Sequence, residues 1–174
     1  GTKSFISGGA FSEIYLTMVR TGENGPYGIS ALLVEKNTSG LSFGNNEEKM
    51  GWKSQPTAQV IFDDCHVSSK KLLGEENKGF IYAMQGLDGG RLNIAAAALG
   101  GAQTALNIAK RYIKERKAFG KSLSEFQGLQ FKVADMEIAI NSSRTFLREA
   151  AWKLDNAKSD AGVYCAMAKK FVTD

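Results

Sequence analysis

The spacing of apolar residues changes near Gly79, and no other feature constrains the fold of this chain as strongly. Before this point the apolar residues occur in three short runs, at 14–19, 29–34 and 58–62, which turn-forming residues separate. Such runs predict β-strands, and the first two predict a hairpin. Beyond residue 79 the interval between apolar residues becomes three or four, as on one face of an α-helix. The sequence therefore predicts an α+β chain, with strands first and helices after them.

Three helices are predicted in the second part, which contains no proline. The first starts with Phe80, Met84 and Leu87 and continues through an alanine-rich stretch towards residue 113. The second carries an unbroken apolar stripe that must face a partner helix: Leu129, Val133, Met136, Ile140, Ser143, Leu147, Ala150 and Leu154. The third begins near residue 161. Their predicted N-terminal caps are Ser124 for the second helix, and Ser159 or Asp160 for the third.

The same change of spacing divides the chain into two predicted domains, 1–76 and 77–174. The first begins with a strand-like segment, and the second stops at Asp174 without a residue that would end a helix. Strand edges and apolar helix stripes stay uncovered in a chain of this content. We therefore expect either a fragment or a protein whose other parts are supplied elsewhere.

Composition excludes several classes of protein and of site. With 43% hydrophobic and 23% charged residues the chain is neither disordered nor fibrous. No apolar run approaches the roughly 18 residues of a membrane span. Cys65 and Cys165 lie far apart and outside any Cys-x-x-Cys pair, so we expect buried thiols and no metal site. His66 is the only histidine, and we expect it to pack beside an apolar run and not to act in catalysis.

Positive charge is concentrated between residues 109 and 132. Two glutamates in this segment oppose seven basic residues, which gives a local excess of +5 against +4 for the whole chain: Lys110, Arg111, Lys114, Arg116, Lys117, Lys121 and Lys132. A cluster of this kind suits the phosphates of a nucleotide cofactor, of coenzyme A or of a nucleic acid. A solvated helix face is the alternative.

Two glycine pairs invite a nucleotide-binding interpretation. Neither G-x-G-x-x-G nor a P-loop pattern surrounds the first pair, Gly8 and Gly9, or any other glycine, so neither of these two phosphate loops is predicted. The pair Gly89 and Gly90 falls within a predicted helix and indicates a break, a bend or the close approach of a ligand. Asp88 and Arg91 flank this pair at a spacing that allows an ion pair on one helix face. We expect the helix to end at Gly120, with Arg116 in its last turns.

Several short motifs occur in one order along the chain, and together they resemble the acyl-CoA dehydrogenase family. Each is weak alone, but they keep their spacing over essentially the whole sequence: Phe5-Ile6-Ser7, 60–67 with Leu73-Gly74, Gly79-Phe80, 87–91, 114–123, Phe126-Gln127 and 134–136. Residues 49–57, Phe5 and Ser7 look most like family members that act on a short branched acyl-CoA. The resemblance implies part of an antiparallel β-barrel or sandwich middle domain, followed by long antiparallel helices of a four-helix bundle.

The resemblance also implies roles for individual residues. Phe5 would pack against the flavin ring of FAD, and the Ser7 hydroxyl would bond near flavin N5, with Ile6 between them. Family members usually carry Trp and Thr at the positions of Phe5 and Ser7. The remaining implied FAD contacts belong to a neighbouring subunit, with Arg116 on the pyrophosphate: Arg116, Phe119, Phe126 and Gln127. The implied acyl-CoA channel is lined by Asp88, Gly89, Gly90 and Arg91.

The activity that the resemblance implies is FAD-dependent oxidation of an acyl-CoA thioester to a 2-enoyl-CoA, in the breakdown of valine or fatty acids. A glutamate removes the α proton in this family. Here the usual glutamate would lie outside the chain, and the alternative position holds Gly90. We therefore predict no catalytic base among these residues, and no turnover by the 174-residue chain alone.

The expected partners follow from the same resemblance. They are an acyl-CoA substrate, further copies of the chain in a dimer of dimers that shares FAD, and an electron-transferring flavoprotein as acceptor. The expected compartment is the mitochondrial matrix in a eukaryote and the cytoplasm otherwise. Two alternatives stay open, an acyl-CoA oxidase and a non-catalytic helical interaction module. We expect no metal, no membrane span and no nucleic-acid partner, since few aromatic residues accompany the basic cluster.

Overall fold

The computed structural model describes all 174 residues and confirms the α+β class, with antiparallel sheets and three helices. The strands are β1 Thr2–Ser7, β2 Ile14–Arg20, β3 Ile29–Glu35, β4 Leu41–Asn46, β5 Thr57–Phe62, β6 Lys117–Ala118 and β7 Lys121–Ser122. The helices are α1 Gly79–Glu115, α2 Gln127–Asp155 and α3 Ala161–Thr173, with 3₁₀ turns at Pro26–Gly28, Ser69–Lys71 and Leu123–Glu125. The chain forms two compact units, Gly1–Met84 and Gln85–Asp174. The domain boundary after residue 76 stays a prediction.

The first unit contains two antiparallel sheets, in which β2 pairs with β3 and β5 lies between β1 and β4. The three apolar runs of the sequence form β2, β3 and β5, and the first two make the expected hairpin. Alternate side chains of a strand point to opposite faces, and one face of each sheet contributes to a shared core. Tyr15, Val34 and Val60 are buried at its centre.

Strand β4 lies between the second and third apolar runs, where the sequence indicates only turn-forming residues. Its sequence, Leu-Ser-Phe-Gly-Asn-Asn, is poor in strand-forming residues, and its pairing with β5 shifts register between Phe43 and Asn46. At Gly44 an added Cβ would lie 3.2 Å from the Cβ of Gln59, so a small residue suits this close approach. The strand is stabilised by its partner and by Leu41 and Phe43 in the core.

The second unit is built on long helices that run antiparallel to one another. Lys110 of α1 donates a hydrogen bond to Glu137 of α2. Gln103, which precedes Lys110 by seven residues, accepts a 2.6 Å bond from Arg144, which follows Glu137 by seven residues. The residue numbers of the paired positions therefore fall on α1 as they rise on α2, as in antiparallel helices. Leu99, Leu106 and Ile140 form the core between these helices. The predicted stripe of α2 faces inward, except that Met136 is 41% exposed.

Two local expectations along α1 need correction. Of the three alternatives for Gly89 and Gly90 the break is wrong, because the helix runs without interruption through both residues, and each glycine costs this 37-residue helix only about 1 kcal/mol relative to alanine. It also ends at Glu115, not at Gly120. The residues after it form a tight hairpin, β6 with β7, whose loop is Phe119 and Gly120.

The expected helix caps are also corrected. Ser122, not Ser124, makes a capping box with Glu125 at the 3₁₀ turn before α2, and Phe126 at the N-cap of α2 uses no side-chain bond. Helix α3 begins at Ala161 as predicted, but Asp160 does not cap it with its side chain. Its carboxylate instead accepts a 2.7 Å bond from Lys153, which lowers the pKa of Asp160 and raises that of Lys153.

The cysteine and histidine predictions hold in part. Cys165 is fully buried, and burial raises the pKa of its thiol, whereas Cys65 is only half-buried. His66 does not pack, because its side chain is 90% exposed and lies 3.1 Å from the Asp64 carboxylate. No helix has the length and apolar character that a membrane crossing requires.

Candidate functional site

Strand β1 presents Phe5 in a conformation that is rare for an aromatic residue. Its φ is +56°, in the left-handed region, at a bulge between Lys3 and Ile6 where the register with β5 shifts. A bulge turns a side chain away from the regular alternation of a strand. The Phe5 ring is 73% exposed, while Ile6 packs into the core of the first unit. Such a conformation costs about 1 to 3 kcal/mol and marks a place where function can require it.

Ser7 ends β1, and its backbone is fixed by the turn that follows. The Gly8 amide donates to the Pro56 carbonyl at 2.8 Å, and the Tyr15 hydroxyl donates to the Gly8 carbonyl at 3.2 Å. Burial raises the pKa of the Tyr15 phenol, so Tyr15 stays a neutral donor there at physiological pH. The Ser7 residue itself is exposed. Phe5 and Ser7 therefore present exposed side chains on a firmly held strand end.

The β6–β7 hairpin presents a second strained aromatic residue. Phe119 and Gly120 have φ values of +54° and +79°, as both central residues of a type I′ turn require. Asparagine or glycine is preferred at the first of these positions, yet Phe119 occupies it with 95% of its surface exposed. No contact within the chain buries this large apolar ring.

Phe126 and Gln127 lie beside this hairpin. The Phe126 ring stacks edge-on to Phe119 with centroids 6.3 Å apart, and the Lys121 ammonium lies 4.3 Å from its centroid. Phe119, Phe126 and Gln127 line one open concavity of about 480 Å³ with Leu123, Gly128, Leu129 and Lys132. The structure thus brings three of the predicted cofactor contacts together on one largely apolar surface.

Arg116 lies at the join between α1 and this hairpin. Its amide donates to the Tyr112 carbonyl and its carbonyl accepts from the Leu123 amide, both at 2.9 Å, so its backbone is fixed on both sides. Its guanidinium makes no ion pair and no hydrogen bond. Within the basic cluster only Lys110 forms an ion pair, and its partner is Glu137. The hydrogen bond from Lys110 lowers the pKa of the Glu137 carboxyl group. Most of the cluster, with Arg116 in it, is therefore free to bind an anion.

Asp88 and Arg91 form the expected ion pair on α1, with 2.5 Å between Oδ1 and a guanidinium nitrogen. Gly162 of α3 packs against the carboxylate, where an added Cβ would lie 3.2 Å from Asp88 Oδ2. Gly89 and Gly90 have open space next to their Cα atoms. This part of α1 therefore combines a held charge pair with exposed backbone.

The predicted residues of the second unit do not form one cluster within a single copy. Arg91 and Arg116 are separated by most of α1, which at 1.5 Å per residue places them about 38 Å apart along the axis. No group of three or more potential metal ligands occurs. Sequence reasoning did not single out Trp52, which shares the features of Phe5 and Phe119, with a φ of +54° and 69% exposure. No sequence signal marks such a backbone.

Comparison with known proteins matches both parts of the chain. A family model described as "Acyl-CoA dehydrogenase, middle domain" matches residues 1–65, and one described as "Acyl-CoA dehydrogenase, C-terminal domain" matches residues 77–174. The mitochondrial isobutyryl-CoA dehydrogenase of Dictyostelium discoideum is 55% identical over 175 residues, which cover 100% of this chain and 42% of the relative. The enzyme of the same name from Bos taurus is 51% identical over 174 residues, again covering 100% of this chain and 42% of the relative.

A solved structure shows the same fold. Butyryl-CoA dehydrogenase from Megasphaera elsdenii superposes with a TM-score of 0.93 at 41% identity, covering 99% of this chain and 45% of that one. The chain thus spans less than half the length of the relatives that it matches.

Proposed function

The chain belongs to the acyl-CoA dehydrogenase family, and from this membership we propose that the protein that carries it oxidises a short branched acyl-CoA, isobutyryl-CoA, to a 2-enoyl-CoA with FAD. The observation that carries the proposal is identity of 55% and 51% to two isobutyryl-CoA dehydrogenases over the whole chain. Both parts of the chain support this membership, because one family model matches residues 1–65 and another matches residues 77–174.

The residues present fit FAD. A flavin ring needs a flat apolar contact, and Phe5 is an exposed ring held in an unfavourable backbone conformation. A pyrophosphate needs cations without competing partners, and the Arg116 guanidinium is free while its backbone is fixed. The exposed Ser7 can donate or accept a hydrogen bond beside the ring.

Within this function the chain binds and orients, and the bound FAD supplies the acceptor for the β hydride of the substrate. Phe5 and Ser7 would hold the reacting face of the flavin ring, and Arg116, Phe119, Phe126 and Gln127 would hold the remainder of a dinucleotide bound to a second copy. Asp88 and Arg91 place the acyl-CoA, with the helix backbone accessible at Gly89 and Gly90. No residue of this chain is assigned as the base for the α proton, and Gly90 has no side chain to serve as one.

The distance between Arg91 and Arg116 along α1 supports a site that two copies of the chain share. Residues about 38 Å apart cannot reach one reaction centre from one copy, so Arg116 and its neighbours would serve the FAD of a second copy. We propose a homo-oligomer, in the form of a dimer of dimers, with an electron-transferring flavoprotein as the electron acceptor. In a eukaryote the protein would work in the mitochondrial matrix, and in a bacterium in the cytoplasm.

Purification and assay of the protein that carries this chain test the proposal. We expect bound flavin with absorbance near the visible flavin bands and reduction of a dye acceptor by isobutyryl-CoA. A panel of straight-chain acyl-CoA thioesters should give lower kcat/KM. Preparations without flavin affinity at saturating FAD would refute the function, and oxygen consumption in place of dye reduction would favour the oxidase.

The aromatic ring of Phe5 should matter for FAD and not for stability. We expect Phe5→Gly to weaken FAD binding on the order of tenfold, because a stacking surface is lost. The free energy of unfolding should stay the same or rise by about 1 kcal/mol, because glycine relieves the left-handed strain. Flavin fluorescence titration and urea unfolding measure the two quantities.

Two matched variants separate these effects. Phe5→Ala removes the ring but keeps the strain, so it should match Phe5→Gly in FAD affinity and be less stable than it. Phe11→Ala removes another exposed ring, from a residue without positive φ, and should leave FAD affinity unchanged. Unaltered affinity in both Phe5 variants would contradict the assignment of this residue.

A further inference from the structure

The segment between β4 and β5 is crossed by the side chain of Lys49. Its ammonium donates to the Trp52 carbonyl at 2.9 Å, to the Thr57 hydroxyl at 3.0 Å and to the Gln55 carbonyl. The Lys49 side chain therefore links two positions of this loop to Thr57, the first residue of β5. Water can replace each of these bonds singly, but separate water molecules cannot fix the distances among the three oxygens.

This loop contacts the end of β1 directly. The Pro56 carbonyl accepts from the Gly8 amide at 2.8 Å, and Thr57 stands opposite Ser7 in the β1–β5 ladder. Thr57 is only 9% exposed. A displacement of residues 56 and 57 must therefore move Ser7 and Gly8 as well.

The loop also contains a strained residue that needs support. Trp52 has a φ of +54°, and its carbonyl accepts from the Gln55 amide at 3.0 Å as well as from Lys49. A conformation of this kind persists only where several contacts determine it. Lys49 supplies one of the two bonds on the carbonyl of Trp52.

We propose that Lys49 is a positioning residue that fixes Ser7 and Gly8 at the end of β1 for flavin binding. This inference rests on the proposed function, since Ser7 is the residue that we place against the flavin ring. Lys49 does not touch the cofactor, and it acts through Pro56 and Thr57.

The first test uses the flavin-free protein, so that it is independent of the proposed function. Lys53 is a matched control because it lies in the same loop, is exposed and makes no hydrogen bond or ion pair. Lys49→Met should raise the hydrogen-exchange rate of the Gly8 amide on the order of tenfold. Lys53→Met should leave this rate unchanged. An unchanged Gly8 amide in Lys49→Met overturns the proposal.

The second test uses the FAD-loaded protein. Lys49→Met should weaken FAD binding on the order of tenfold and shift the visible flavin band. It should also lower kcat, while KM for isobutyryl-CoA changes less than about twofold. A spectrum and an affinity equal to those of Lys53→Met would overturn the proposal, because a purely structural lysine leaves the bound flavin unaltered.

A third variant decides the matter if Lys49→Met does not fold. Thr57→Val removes the hydroxyl but keeps the two carbonyl bonds of Lys49, so the same changes should occur to a smaller degree. Normal Gly8 exchange in Thr57→Val would then count against the proposal. If the unmodified protein binds no FAD, the proposed function fails, and Gly8 exchange still decides the role of Lys49.

Discussion

Replacing Arg116 by methionine should weaken FAD binding by about tenfold to a hundredfold, the loss expected when one or two charge-assisted hydrogen bonds are removed. The guanidinium is unpaired. The Arg116 amide donates to the Tyr112 carbonyl and the Arg116 carbonyl accepts from the Leu123 amide, so the backbone is fixed and little reorganisation precedes binding. Methionine keeps most of the length and apolar character of the stem, and stability should change little. Fluorescence titration with FAD at two salt concentrations measures the loss.

Arg111→Met is the matched control for this prediction. Arg111 lies on α1 one helical turn before the end, is exposed, and makes no ion pair. Both variants lower the net charge by one unit, so a general electrostatic attraction would weaken binding equally in both. We expect only the Arg116 variant to lose affinity, and Arg116→Lys to be intermediate, because an ammonium lacks the planar fork that matches phosphate. Equal losses at both positions would contradict a specific contact.

The strands and helices that could be predicted from the sequence are those with a regular pattern of apolar residues along their own length. The apolar runs of β2, β3 and β5 and the stripe of α2 bury one face each, and that burial is visible as a period in the sequence. Strand β4 has no such period, because its pairing with β5 stabilises it. The hairpin after α1 was missed for a related reason, since Phe119 stands where a turn signal such as Asn-Gly would normally occur.

The candidate site was predicted from the order of short motifs and not from geometry. Residue types at Phe5, Ser7, Asp88, Arg91 and Arg116 could be read directly. The positive φ of Phe5, the free guanidinium of Arg116 and the bonds of Lys49 could not, because each depends on the folded backbone and on side-chain contacts that residue types alone do not specify. These structural details make it possible to predict which variants should lose FAD affinity and which should lose stability.

Among the glycines of the three α-helices, Gly79 is the one where the structure tolerates an added methyl group least. It opens α1 against the backbone of β3, where an added Cβ would lie 2.5 Å from the Ser30 carbonyl carbon and 2.7 Å from the Ala31 nitrogen. Neither partner can move easily. The buried Ser30 hydroxyl accepts from the Asn77 amide at 2.7 Å, and the Ala31 carbonyl accepts from the Leu73 amide at 2.8 Å.

Gly79→Ala should therefore lower the free energy of unfolding by about 3 kcal/mol, the upper part of the range for overpacking. The helix must shift or β3 must distort, and both responses disturb the bonds of Asn77 and Leu73. Gly100→Ala is the control, since Gly100 is exposed on the same helix with open space beside it, and alanine should raise stability by about 1 kcal/mol there. Urea unfolding of both variants, with the slope on denaturant held common, measures the difference. A Gly79 variant as stable as the Gly100 variant would mean that α1 does not begin in contact with β3.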